Sequence, residues 1–146
     1  MKKKIAGIII LVLILIQFIQ PKKNQSKNYT NDISTEIKIP KEVQEIIKTS
    51  CADCHSNNTA YPWYNNIAPV SWFLAYHVND GKEHLNFSEW TLYNKDQKNH
   101  IIKEMKKEIK EGEMPLFSYT LIHKNTSLTN QQSAAFLNWL ETINKY

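Results

Sequence analysis

The feature that most constrains this chain is a five-residue stretch, Cys51-Ala52-Asp53-Cys54-His55, which holds both of its cysteines. Two thiols at this spacing can form thioether bonds to the vinyl groups along one porphyrin edge. The adjacent imidazole can then reach the iron from the same side. C-x-x-C-H is the attachment signature of c-type haem. A chain held at three neighbouring positions by one rigid planar group must fold around that group. Other readings of the two thiols fit less well. A C-x-x-C redox pair belongs in a βαβ setting, which this sequence lacks. Structural zinc needs four ligands, and His77, His84, His100 and His123 match no zinc spacing. A plain Cys51–Cys54 disulfide in an oxidising compartment stays open.

The rest of the chain reads as all-α. Pro40-Lys41-Glu42 suits a first helical turn. Val43, Ile46 and Ile47 give it an apolar stripe, and the helix runs into Cys51. Residues 57–68 read mostly as loop. A second helix is expected over 69–78, stopped by Asn79-Asp80-Gly81. A short turn capped by Asn86 or Ser88 follows. Ile101, Ile102, Met105 and Ile109 predict a third helix over 96–111, ended by Gly112. Residues 113–124 read as loop. A last helix starts at Thr129, with Gln132 as its capping-box partner and Ala135, Phe136, Trp139, Leu140 and Ile143 on its buried side.

Ahead of this domain, Lys2-Lys3-Lys4 precedes an apolar run over 5–16 that has no polar face. A charged start and short apolar core mark residues 1–20 as an export signal or membrane anchor. No small-residue cleavage pattern follows, which favours an uncleaved anchor, although the run is short for a full span of about 17–25 residues. The lysines favour a cytoplasmic N-terminus and an extracytoplasmic domain. Residues 21–39, rich in Asn, Lys, Ser and Thr, read as a flexible linker, with the folded domain over 40–146. The net charge of +4 belongs to the leader and linker, because from Pro40 onward 11 lysines face 12 acids. That balance excludes a nucleic-acid-binding face. The chain has no arginine, so Arg-based anion clamps are excluded too.

A second axial ligand can be sought in Met114, followed by Pro115 in the loop after the third helix. Met/His ligation raises the reduction potential and suits electron transfer. His77, one turn after Phe73, is the alternative. Met105, between Ile101 and Ile109, reads as core packing. His84, His100 and His123 lie in polar surroundings and read as solvated. Trp63 and Trp90, in the less regular segments, are candidates for the pocket edge, where an indole N–H can bond a propionate. Trp72 and Trp139 read equally well as core. Lys82 is a candidate propionate donor.

Four segments resemble the small haem-binding-domain family of c-type cytochromes found in bacterial envelopes: CADCHSNNTAYPWY at 51–64, PVSWFLAYHV at 69–78, NFSEW at 86–90 and GEMP at 112–115. The resemblance covers residues 40–146. It implies a cytochrome c-like helical fold around one covalent haem, with Cys51 and Cys54 as attachment points, His55 proximal and Met114 distal. It also implies that the C-terminal helix packs back on the first. The long aromatic segment over 57–90 departs from the shortest cytochromes c and keeps His77 in play as the distal ligand. The expected function is single-electron transfer with redox partner proteins of the cell envelope, held at the membrane by the N-terminal segment. A haem-based ligand sensor or a peroxidase-like enzyme, either with an open distal site, is the alternative.

Overall fold

A computed structural model describes residues 1–143; residues 144–146, the end of the expected domain, lie outside the described residues. The fold is all-α, with no strand among the described residues. Seven α-helices follow in chain order: α1 Lys2–Leu15, α2 Lys41–Ile46, α3 Ala52–His55, α4 Val70–His84, α5 Lys95–Glu111, α6 Phe117–Ile122 and α7 Asn130–Thr142. A π-helical turn, Ile47–Cys51, joins α2 to α3, and a 3-10 turn, Phe87–Leu92, lies between α4 and α5.

The core forms where α2 and α5 pack on α7. Val43 and Ile46 of α2 meet Ile101, Ile102 and Met105 of α5 and Phe136, Trp139 and Leu140 of α7, with Phe87 and Trp90 beside them. Burying each of the larger aliphatic side chains stabilises the fold by about 1.5–3 kcal/mol. The return of the C-terminal helix onto the first helix of the domain is as expected. Both long helices after the aromatic segment start with reciprocal capping boxes, Asn94 with Gln97 and Thr129 with Gln132. Each pair satisfies two backbone N–H groups that the first helical turn leaves without partners. Gly112 ends α5 in the left-handed region, at φ 73°, where glycine carries no Cβ penalty.

Three expectations need correction. First, 21–39 is no flexible linker, and the folded unit does not begin at Pro40. Ile33 and Ile37 are buried in the core. Glu36 takes both carboxylate oxygens to Lys98 Nζ, at 2.8 and 2.7 Å. Asn24 is held at five points: its backbone N–H donates to Tyr61 Oη and its side-chain amide to Ser56 O and Thr59 Oγ1, while Lys82 Nζ donates to its Oδ1 and Thr59 N–H to its backbone oxygen. The segment is a strap across the loop that follows the cysteine motif. Second, Asn79-Asp80-Gly81 does not stop α4, which continues to His84. A Cβ on Gly81 would come within 3.0 Å of Cys54 O and 3.1 Å of Cys54 Cβ. This glycine permits close helix approach instead of ending a helix. Third, 117–122 is helix, not loop.

Helix α1 stands apart from the core, with no buried residue. Among the described residues, no helix is long and apolar enough to cross a membrane.

Candidate functional site

A cavity of about 540 Å³ opens between α3, α4, α5 and the connection from α5 to α6. Cys51, Cys54 and His55 form one part of its wall, and Met114 and Pro115 another. His77 and His84 of α4, His100 and Met105 of α5, and Tyr119 of α6 also line it.

Local structure sets the motif in place. The π turn widens the backbone just before Cys51, a device that recurs at functional sites. Helix α3 is one turn long, and the loop after it supplies its missing partners. Ser56 Oγ donates to Ala52 O at 2.7 Å, and Thr59 Oγ1 donates to Asp53 O at 2.7 Å. The close approach at Gly81 lays α4 directly against this turn.

That approach fixes His55. Its Nδ1 lies 2.8 Å from Gly81 O and 3.1 Å from Leu85 O. Carbonyl oxygens only accept, so the proton sits on Nδ1 and the Nε2 lone pair is left to bind a metal. Burial is the main cause that holds the His55 pKa below its ordinary value, against the opposing pull of the two carbonyls. The neutral ring is the form that ligates iron. The two cysteines are free thiols. Burial, reinforced by the neighbouring Cys54, pushes Cys51 up to about 12. Burial, reinforced by Asp53, pushes Cys54 up to about 11.

The remaining motif residue, Asp53, faces two elements at once. Its Oδ1 accepts from Ala60 N–H at 2.9 Å, and its Oδ2 accepts from Tyr119 Oη at 2.7 Å. Burial and the Asp53 carboxylate together hold the Tyr119 phenol above its ordinary pKa. Tyr119 stacks on His123 with ring centroids 4.4 Å apart, and His123 Nε2 lies 2.6 Å from Tyr64 Oη. His123 is therefore bound into this network and is not simply solvated.

Of the residues singled out from the sequence, Cys51, Cys54, His55, Met114 and His77 come together on the one cavity. Trp63 and Trp90 do not. Trp63 is exposed at 76 %, and Trp90 is fully buried in the core with Lys98 Nζ 5.8 Å from its ring centroid. Lys82 also lies elsewhere, tied to Asn24. His84 and His100, read as solvated from their polar neighbours, are exposed and also lie along the cavity. Sequence reasoning missed Gly81, Leu85 and Tyr119. Gly81 carried a signal, a glycine inside an otherwise helical pattern, which often marks a packing contact.

The donor set fits haem: two thiols, an imidazole with its lone pair free, and a thioether around a largely apolar cavity of cofactor size. No curated protein and no solved structure matches the chain. The family model described as the haem-binding domain matches residues 11–142, strap and cavity walls together, and so the chain belongs to the haem-binding domain family and binds haem.

Proposed function

We propose that the chain carries one covalent c-type haem and serves as a single-electron carrier on the outer side of the cell membrane. The observation that carries this reading is the convergence of both motif thiols, His55 and Met114 on one cavity. In it Cys51 and Cys54 would hold the haem through thioethers, and His55 Nε2 and Met114 would bind its iron. Haem, when bound, supplies reversible one-electron exchange at its iron. The protein's part is to hold His55 in one tautomer through Gly81 and Leu85, and to hold the connection that bears Met114 through Gly112 and the Tyr119–Asp53 bond. Partners are redox proteins of the envelope. Helix α1, apolar on every side beyond Lys4, embeds in the membrane and keeps the domain beside it.

The test is a visible spectrum of the protein matured with a c-type attachment system, run alongside a denaturing gel stained for haem. Colour that survives denaturation, with a low-spin spectrum indifferent to carbon monoxide, supports the carrier. Haem lost on denaturation refutes covalent attachment.

One observation favours a second reading. His77, whose Nδ1 donates to Phe73 O at 2.9 Å, lines the same cavity. If Met114 does not hold the haem, His77 would be the cavity residue available for acid–base work, as a sensor or peroxidase-like enzyme requires. Immediate binding of carbon monoxide by the reduced protein would select that reading.

A further inference from the structure

The start of α4 carries an exposed aromatic face. Phe73 is 56 % exposed and Tyr76 65 % exposed, and Ile67, Val70 and Trp72 add apolar surface beside them. Trp72 and Tyr76 stand one turn apart on the same side of the helix, with Phe73 on the adjoining side next to Tyr76. The face ends abruptly, because Asn79, Asp80 and Glu83 follow on the exposed surface of the same helix.

This face is joined to α1. Gln17 Nε2 donates to Ala68 O at 3.0 Å, and Ala68 N–H donates back to Gln17 Oε1 at 2.9 Å. Trp72 Nε1 donates to Ile19 O at 2.7 Å. The apolar helix therefore leads by a doubly bonded joint into the first turn of α4, with Phe18 and Ile19 exposed at the joint. Wherever α1 is covered, Trp72, Phe73 and Tyr76 lie next to the covering. A helix of apolar side chains with none of them buried calls for lipid. Tryptophan and tyrosine settle at the boundary of such a layer, where the ring is sheltered and the polar edge stays wet. Lys22 and Lys23, just past the joint, suit anionic headgroups.

We propose that the aromatic face of α4, through Trp72, Phe73 and Tyr76, lies on the bilayer surface and lays the domain down against it. This rests on the reading of α1 as the membrane segment. It has a consequence for the site. His77 lines the haem cavity with the Phe73 ring centroid 4.1 Å from its own and the Tyr76 centroid at 5.4 Å. The cavity wall at His77 thus borders the headgroup layer.

The experiment uses the full haem-loaded chain in vesicles of phosphatidylethanolamine and phosphatidylglycerol that contain a phospholipid with a photoactivatable diazirine in its acyl chain. After illumination, lipid adducts are mapped on peptides. The expected result is adducts on α1 and on residues 67–76. In the Phe73→Ser, Tyr76→Ser double variant, adducts over 67–76 fall about fivefold or more while those on α1 are unchanged. Adducts on α1 with none over 67–76 overturn the proposal and leave the anchor standing. Cross-linking of 67–76 to a second copy of the chain, in place of lipid, overturns it likewise. Absence of adducts from α1 as well overturns the membrane reading and this proposal together.

Discussion

Gly81 shows how much of the site rests on one missing side chain. Its carbonyl accepts a hydrogen bond from His55 Nδ1–H, and its bare Cα lets α4 lie on Cys54. Two effects compete in Gly81→Ala. Helix propensity favours alanine by about 1 kcal/mol. Against this, the new methyl meets Cys54 O at 3.0 Å, and that atom is backbone and cannot swing aside. Overpacking of this kind typically costs about 1–3 kcal/mol, which exceeds the propensity gain when the contacting atom is backbone, and a net loss of up to about 2 kcal/mol is expected in denaturant unfolding. An unchanged or raised midpoint would show that α4 is free to shift. Tyr119→Phe tests a second contact. It removes the hydrogen bond to the Asp53 carboxylate, and bonds to charged groups contribute about 1.5–3 kcal/mol. A comparable drop in stability is expected. It should be accompanied by a lower reduction potential if the bond helps hold Met114 near the iron, since loss of a thioether ligand lowers the potential.

At the scale of elements, legibility followed the strength of local signals. Helix α5 could be read from its sustained apolar period and Gly112, and α7 from its capping pair and apolar side. Helix α6 could not, since six residues without a side-chain cap are too few to show a period, and the tie that holds it comes from Asp53, 66 residues away. The strap over 21–39 was misread for a different reason. Its composition is that of a linker, and its hold on the domain is made of long-range bonds such as Asn24 to Ser56 and Thr59. A pair of isoleucines four apart, Ile33 and Ile37, was the local trace of burial. The strap carries its own prediction. If 21–39 were a free tether, Ile33→Ala would leave stability unchanged. Because Ile33 is buried in the core, a loss of about 2–4 kcal/mol is expected, read as a lower denaturant midpoint by circular dichroism.

Taken whole, the molecule puts chemistry that is local in sequence inside a frame that is not. Cys51, Cys54 and His55 were legible as one motif, because covalent attachment demands that spacing. The groups that orient them were not, because Gly81 and Leu85 reach His55 only once α4 has packed on α3. The same packing buries phenols, and this sets an alkaline limit on the fold. Tyr93 and Tyr119 both have pKa values raised from 10.0, in each case chiefly by burial. In the unfolded chain they ionise near 10, so above that pH the unfolded state holds fewer protons than the folded one. Stability is then fully present below pH 10 and declines as pH rises past it, since it falls wherever the unfolded state binds fewer protons. Absorbance of ionised tyrosine should therefore lag in the folded protein and appear fully on adding denaturant at the same pH. The unfolding midpoint should drop steadily above pH 10, and Tyr93→Phe should make that drop shallower. A midpoint independent of pH above 10 would mean that these phenols ionise in the folded state as easily as in water, and that the packing around Asn86 and Asp53 is looser than the hydrogen bonds to Tyr93 and Tyr119 indicate.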